Sequence, residues 1–340
     1  MQYSGRSQAR QWFKETQQGV CNITLPTFTS DLSRLDEAAI VHDIRRSVEL
    51  GFEGTLIVSE SGTTLEEFKQ FVRLAVDAAA GEITIVPQAS FDTAEDACEA
   101  LRDGQEAGAD AFLMGYPPSF RDATAAEVLS YNQQLCAATE MACILFTSPL
   151  FDLGHLHPSG FPLQILDDLL AIENVAAFKY EPIGPMAPAL AEVHKLVDGA
   201  IPVVCPFDTE APAFSALTGQ RWLGTSVYQY AGDRVPKMWK LLNDGKYDDA
   251  MEIYWSLSPV RRAKAADKRT WDGANMLHRY IWKYYSWLNG YSGGLLRSPV
   301  MRLSQSQMGN ARRALEASGI EPVQLPDSAF FEGRTIGSSM

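Results

Sequence analysis

Short apolar runs alternate with longer stretches of helical periodicity from about residue 20 to residue 244. In the longer stretches apolar residues recur every three or four positions, and several stretches begin at Asp or Thr and end at Gly, as helices do. This alternation is typical of repeated strand–helix units in a parallel sheet. The apolar runs predict eight strands: Val20–Leu25, Gly54–Val58, Ile83–Pro87, Ala111–Gly115, Cys143–Thr147, Val175–Lys179, Pro202–Cys205 and Trp222–Val227.

Eight strand–helix units close most naturally into a (β/α)₈ barrel, a fold of roughly 250 residues. The alternative is an open doubly wound sheet, whose dinucleotide-binding members have a G-x-G-x-x-G turn after the first strand. No such turn follows residues 20–25. We therefore predict an α/β protein with a TIM barrel over residues 1–245, including a short N-terminal segment.

The strand signals stop after residue 245, and residues 246–320 predict a C-terminal extension of three helices: Tyr247–Ala265, Thr270–Asn289 and Ser304–Ser318. The middle helix is rich in Tyr and Trp, which more often indicates packing or a subunit interface than a ligand site. Residues 321–340 contain Pro, Gly and Ser and predict a loosely held tail.

Composition narrows the function classes. The formal charge of −13 argues against a nucleic-acid partner, because binding phosphates needs a positive face. The five cysteines are scattered and lie mostly in apolar segments, which indicates reduced core residues and not disulfides or a zinc site. The first residues lack an apolar signal segment, and no apolar run approaches the roughly 18 residues of a membrane span. We predict a cytoplasmic protein without a membrane partner.

Lys179 is the most informative polar residue at a predicted strand end. Barrel active sites lie at the carboxyl ends of the strands, and the residues before Lys179 are apolar. A free lysine is protonated at neutral pH, whereas a desolvated one loses its proton more readily and can attack a carbonyl group. The alternative is a lysine that only pairs with Glu181.

The chain resembles the dihydrodipicolinate synthase and N-acetylneuraminate lyase superfamily of class I aldolases from about residue 20 to residue 320. The resemblance lies in ordered motifs: LPTF (25–28), GFEGTLIVSESGT (51–63), GADAFLMGYPP (108–118), ILFTSP (144–149), NVAAFKYE (174–181) and GGLLRSP (293–299). It implies that Lys179 forms a Schiff base with pyruvate or another 2-oxo acid, without a further cofactor, and that the imine is an electron sink. It also implies a homo-oligomer, either a tetramer or a dimer, and an aldehyde co-substrate in an aldol reaction.

The resemblance assigns the substrate carboxylate to the loop after the second strand, and so to Ser59, Ser61 and Gly62. The alternative is a plain turn that caps the next helix with Thr63 or Thr64.

Two tyrosines that relay protons in the family are missing. One is replaced by Phe146, which cannot exchange a proton, and the other would fall at Ser119 or Phe120. Glu60 stands where a threonine contacts the first tyrosine, and a carboxylate desolvated beside Phe146 would suit general acid–base work. Our hypothesis is that Glu60 replaces the tyrosine. The alternative is that Glu60 only pairs with Lys179 or an arginine.

The arginine with which dihydrodipicolinate synthase binds a second carboxylate has no counterpart in residues 146–158, so that activity is not expected. The motifs are closer to hydratase-aldolases, and Phe146, Phe151 and Trp222 would line an apolar pocket. His155 is a candidate substrate contact, and its pairing with His157 lacks the further ligands of a metal site. Asp208 lies at the end of the seventh strand and is either a substrate contact or a scaffold residue.

The sequence is compatible with two classes of function. The first is a Schiff-base-forming lyase, either an aldolase or hydratase-aldolase or a 2-oxo-acid dehydratase. The second is a binding or regulatory protein that keeps the lysine but has lost the chemistry along with the tyrosines, since a fold alone does not decide activity.

Overall fold

The computed structural model describes residues 2–59, 61–271 and 278–333. It contains eight strands: β1 Val20–Thr24, β2 Gly54–Val58, β3 Thr84–Gln88, β4 Ala111–Leu113, β5 Ala142–Thr147, β6 Val175–Tyr180, β7 Val203–Val204 and β8 Leu223–Gly224. Helix α1 (Ala9–Thr16) precedes them. The helices that follow the strands are α2 Glu37–Glu49, α3 Leu65–Ala79, α4 Ala94–Ala107, α5 Ala125–Ala138, α6 Leu166–Leu170, α7 Met186–Leu196, α8 Ala211–Thr218 and α9 Arg234–Asn243.

The strand order closes a ring. Strand β1 pairs in parallel with β2 on one side and with β8 on the other, so the first strand meets the last. The two sets of hydrogen-bonded strands run β3-β2-β1-β8 and β4-β5-β6-β7, and β3 packs beside β4. An open doubly wound sheet does not join its first strand to its last. The predicted (β/α)₈ barrel is confirmed.

The β7–β8 side of the ring is held by a side chain. Both strands are only two residues long, shorter than the sequence predicts. The amide of Gln220 accepts a hydrogen bond from Cys205 N and donates one to Cys205 O, both at 2.9 Å. It also donates to Trp222 O at 2.9 Å. A side chain thus occupies backbone groups that a longer strand ladder would have used.

Alternation along β6 decides which side chains enter the barrel. Phe178 packs against Phe161 and against Tyr180, with ring centroids 4.9 and 5.0 Å apart, on the outer side of the strand. Successive side chains of a strand point to opposite faces, so Lys179 points inward. The charge of Lys179 acts on the buried thiol of Cys21 in β1, which is not a neighbour of β6 in the ring. The two side chains therefore face each other across the barrel interior.

Helix α1 covers the amino ends of the strands. Arg10 donates to the carbonyl oxygens of Val175 and Ile172 at 2.6 and 2.8 Å, where β6 begins. Phe13 of the same helix is 1% exposed and packs edge-on against Trp222, just before β8. Helix α1 thus covers the amino ends of β6 and β8, and active sites of such barrels lie at the carboxyl ends of the strands.

The described part of the C-terminal extension contains four helices before residue 320, one more than predicted: α10 Tyr247–Ser256, α11 Ser258–Trp271, α12 Arg279–Leu288 and α13 Gln305–Ala317. The predicted first helix is interrupted at Leu257. Pro259 follows directly, and a proline ring inside a helix would clash with the carbonyl four residues earlier while lacking an N–H donor. In the described ranges no helix is long and apolar enough to cross a membrane.

The described part of the last twenty residues is packed, which corrects the prediction of a loose tail. A short helix, α14 (Ala329–Glu332), carries Phe330, which is fully buried against the rings of Tyr284 and Trp287 in α12. Arg312 of α13 binds Asp327 at 2.6 Å. The aromatic residues of α12 were thus correctly interpreted as packing residues, at these positions.

Candidate active site

Lys179 lies inside the barrel near the carboxyl end of β6. Its side chain is 4% exposed, and its Nζ atom lies 2.9 Å from Oε1 of Glu181, whose side chain is 19% exposed. The same Nζ atom lies 3.9 Å from the ring centroid of Phe146, the residue paired with Lys179 on the neighbouring strand β5. A primary amine buried in this way can act as a nucleophile toward a carbonyl group.

An aromatic wall extends from the lysine. Phe151 contacts Phe146 edge-on with centroids 5.1 Å apart, and Tyr116 contacts Phe151 edge-on at 5.0 Å. The hydroxyl of Tyr116 accepts a hydrogen bond from Asn132 at 2.9 Å. Phe146 and Phe151 come together as predicted, so one side of the amine is covered by carbon and not by hydroxyl groups.

The loop after β2 contains a polar atom without a partner. Ser61 is 7% exposed, and its Oγ is buried with no hydrogen-bond partner in the described part of the chain. Ser59 is engaged, because its Oγ accepts a hydrogen bond from Ser90 N at 2.8 Å and joins β2 to β3. Thr64 caps α3, and Thr63 donates to the Ser59 carbonyl. The loop is thus a helix-capping turn, as the alternative reading predicted, and it also presents an unsatisfied hydroxyl.

Gly62 and Arg297 fix this loop together. Gly62 has a φ of +88°, a left-handed conformation that favours glycine, and a Cβ there would lie 3.1 Å from Arg297 Cβ. Arg297 donates to Gly62 O at 3.1 Å and forms two hydrogen bonds with the Glu67 carboxylate, at 2.5 and 2.8 Å. The hydrogen bond from Arg297 holds the pKa of Glu67 below its ordinary value. The C-terminal segment therefore braces the loop that carries Ser61.

Glu60, the proposed replacement for the tyrosine, lies outside the described residues. Its role stays a hypothesis from the sequence.

Two predicted substrate contacts lie elsewhere. Trp222 precedes β8 and packs on Phe13 of α1, so it belongs to the amino end of the barrel, opposite Lys179. Its place as the first residue of the predicted eighth strand already indicated the amino end. Ser119 lines a pocket of about 450 Å³ between α4 and α5, together with Phe120 and Tyr131, and Lys179 is not among the residues that line this pocket.

His155 and Asp208 have partners within the protein. The Nε2 atom of His155 lies 2.8 Å from Ala123 O, and Nδ1 lies 3.3 Å from Asp152 O, so the ring connects the loops after β4 and β5. Asp208 accepts hydrogen bonds from Arg261 and from Tyr230. Both arrangements favour a structural role over a substrate contact. In the described ranges no group of three His, Cys, Asp or Glu side chains could hold a metal ion.

From the sequence, Glu181 is expected only as an ion-pair partner of Lys179, in the alternative to catalysis, and Arg297 has no expected role. Glu181 lies two positions after Lys179, and residues two apart on a strand point to the same face, so its proximity to the amine could have been predicted. The bracing by Arg297 spans more than 200 positions along the chain and had no local signal.

The comparisons with known proteins show the family to which this chain belongs. A model of the Dihydrodipicolinate synthetase family matches residues 17–318. An N-acetylneuraminate lyase of Rhizobium meliloti is 24% identical over 69% of this chain and 76% of its own. A 4-hydroxy-tetrahydrodipicolinate synthase of Halorhodospira halophila is 24% identical over 84% of this chain and 91% of its own. The solved N-acetylneuraminate lyase of Fusobacterium nucleatum complexed with pyruvate is 17% identical, covers 88% of this chain and 97% of its own, and superposes with a TM-score of 0.73.

Proposed function

We propose that this chain, which belongs to the dihydrodipicolinate synthetase family, is a lyase whose Lys179 condenses with the keto group of pyruvate or a longer 2-oxo acid. One observation carries the proposal: the Lys179 amine is buried inside the barrel, at the carboxyl end of its strand, and contacts a single carboxylate among the described residues. The protonated imine then draws electrons from the neighbouring C–C or C–O bond, which makes its cleavage or formation possible.

The substrate carboxylate binds to the loop after β2 in this proposal. The unpartnered Oγ of Ser61 donates one hydrogen bond, and backbone amides around Gly62 supply others. A buried hydroxyl without a partner is costly, so a ligand oxygen at this position would remove a penalty as well as add a bond. Arg297 contributes by holding the loop in place.

The remainder of the substrate lies against the aromatic wall of Phe146 and Phe151. A carbon-rich wall favours an apolar or aromatic tail over a second carboxylate, as in a hydratase-aldolase, and Leu150 and Asp152 supply no cation where dihydrodipicolinate synthase has its arginine. Cleavage would then release pyruvate and an apolar aldehyde. The oligomer and the cytoplasmic location stay predictions from the sequence.

A second function is favoured by one specific observation. Phe146 contacts the lysine where the resemblance expects a proton-relaying tyrosine, which is what a binding protein that had lost its chemistry would show. Such a protein would bind a 2-oxo acid without forming an imine.

Borohydride trapping separates the two functions. The protein is incubated with pyruvate, reduced, weighed intact and mapped by peptide mass spectrometry. We expect a reduced pyruvate adduct on Lys179 and none in Lys179→Met. Mapping is needed because Lys283 is a second buried lysine, whose pKa burial lowers to about 8, against the opposing effect of Asp43. No adduct with pyruvate or any longer 2-oxo acid favours the binding protein, and an adduct on Lys283 contradicts the assignment of Lys179.

A further inference from the structure

We propose that Glu181 is the general acid–base of imine formation, in the role that the missing tyrosine would otherwise fill. This inference rests on the proposed function of Lys179 and deepens it. It starts from the one carboxylate that lies within 4 Å of the Lys179 amine in the described part of the chain.

The backbone fixes Glu181 in this place. Its N–H donates to Thr147 O at 3.2 Å and so continues the pairing of β5 with β6 beyond the last residue of the strand. Because Glu181 lies two residues after Lys179 in extended backbone, its side chain shares the inner face with Lys179, and its Cα lies about 6 to 7 Å further along the strand direction, toward the barrel mouth. It is also the more exposed partner. A substrate carbonyl that reaches the amine from the mouth therefore passes the carboxylate.

Other groups near the amine are poorly suited to proton transfer. Phe146 covers Nζ with a ring that has no exchangeable proton. The hydroxyl of Tyr228, which faces Glu181, donates its proton to the Pro206 carbonyl. Burial raises the pKa of the Cys21 thiol on β1 and raises that of Cys205 on β7 to about 12, so both thiols stay protonated at neutral pH.

Glu181 alone can carry out every proton transfer that imine formation needs. The ammonium group first transfers a proton to the carboxylate, and the neutral amine attacks the keto carbon as the carbonyl electrons move to oxygen. Glu181 protonates that oxygen, takes a second proton from nitrogen, and returns it to the hydroxyl group, which leaves as water as the C=N bond forms. Of the three ammonium protons two leave in the water and one stays on the iminium, so Glu181 ends as a carboxylate beside a cation.

The test measures the rate of adduct formation as well as its final extent. Wild type, Glu181→Gln and Glu181→Ala are mixed with pyruvate near pH 7 and quenched with borohydride at successive times. Glu192→Gln is the matched control, because Glu192 is exposed on the helix that follows the same strand. We expect the adduct on Lys179 to reach the same extent at long times in Glu181→Gln but to form at least about 100-fold more slowly, as for a lost general acid–base. Acetate should accelerate Glu181→Ala in proportion to its concentration.

A purely structural ion pair predicts the opposite sign. Without the carboxylate, a buried ammonium group loses its proton more readily, so the amine would attack at the same rate or faster. An unchanged or faster rate of adduct formation in Glu181→Gln therefore overturns the inference. Slow adduct formation in Glu60→Gln together with a normal rate in Glu181→Gln overturns it as well. Absence of any adduct in the wild type overturns the proposed function and this inference with it. Thermal melting of each variant shows that a slow rate is not a loss of fold.

Discussion

Two buried ion pairs lie at the carboxyl end of the barrel and differ in construction. Lys179, in β6, and Glu181, directly after β6, are two positions apart and share one contact of 2.9 Å. Asp208, after β7, and Arg261, in α11, join two distant elements, with hydrogen bonds of 2.8 and 3.0 Å to the same Asp208 oxygen. Tyr230 donates to that oxygen as well, at 2.6 Å.

The difference separates a permanent pair from one that can react. Arginine does not lose its proton in proteins, and the Asp208 oxygen is already saturated with donors, so this pair offers nothing to a ligand. A lysine can pass its proton to a neighbouring glutamate and become a nucleophile. Two opposite charges that lie close together at a barrel mouth therefore do not by themselves indicate an active site. The distinguishing feature is a cation that can lose its proton and become a nucleophile.

The largest expected effect on stability is at the permanent pair. Asp208→Asn leaves the Arg261 charge buried without a counter-charge, which should cost about 3–5 kcal/mol in the free energy of unfolding measured by urea denaturation. Burial alone would raise the pKa of Asp208, but the charges of Arg261 and Lys264 and the Tyr230 hydrogen bond bring it below its ordinary value. The contribution of Asp208 should thus be present above about pH 4 and fade as the pH falls below that.

Glu181→Gln is the counterpart of this variant. It should cost much less stability, because lysine, unlike arginine, can become neutral when it is buried without a counter-charge. Equal losses in the two variants would contradict the distinction between the pairs.

Lys283 is a third buried cation, and its hydrogen-bond acceptor is a backbone carbonyl where Lys179 and Arg261 have a carboxylate. It is 3% exposed and donates to Pro26 O at 2.8 Å. Its pKa is lowered from 10.5 to about 8 by burial, against the opposing charges of Asp43 and Asp36. Between about pH 8 and pH 10.5, Lys283 therefore binds more protons in the unfolded chain than in the folded one. Its contribution to the free energy of unfolding rises with pH over this range.

Lys283→Met measures this effect. The difference in unfolding free energy between wild type and variant should move in favour of the wild type by about 3 kcal/mol from pH 8 to pH 10.5, at about 1.36 kcal/mol per pH unit. A difference that is constant over this range would show that the amine is not desolvated in the folded state.

The smallest expected effect is at Ser61. Ser61→Ala removes a buried hydroxyl that has no partner in the described residues, so stability should stay the same or rise slightly. If the hydroxyl binds the substrate carboxylate, the pyruvate concentration at half-maximal trapping should increase about tenfold, the loss of about 1.4 kcal/mol of binding. Ser33→Ala, at an exposed site, is the control. An unchanged pyruvate requirement would remove Ser61 from the site.

The fold and the lysine could be predicted because both depend on local pattern. The apolar runs predicted all eight strand starts to within one residue, and the terminal position of Lys179 in its run placed it at the barrel mouth. At β8 the apolar run was longer than the strand, and its first residue, Trp222, lies at the amino end of the barrel, so the assignment of Trp222 to the substrate pocket was wrong. Pro259 was a local signal for the helix break that the periodicity of its neighbours obscured.

Long-range contacts could not be predicted in the same way. Asp208 gave no sign that Arg261, some 50 positions later, would saturate its carboxylate. The burial of Phe330 against α12 likewise depends on a contact between segments that periodicity treats separately. Polar residues at strand ends are candidates from sequence, and their partners from distant segments decide which of them remain available to a ligand.

The most direct test of the central claim, that the Lys179 amine condenses with a 2-oxo acid, is the ¹³C NMR spectrum of the protein with pyruvate labelled at the keto carbon. No reductant is present, so the equilibrium species is observed. We predict a protein-bound imine resonance in the wild type that is absent from Lys179→Met. A wild-type spectrum that contains only the free ketone and its hydrate, at pyruvate concentrations that saturate the related lyases, would contradict the account.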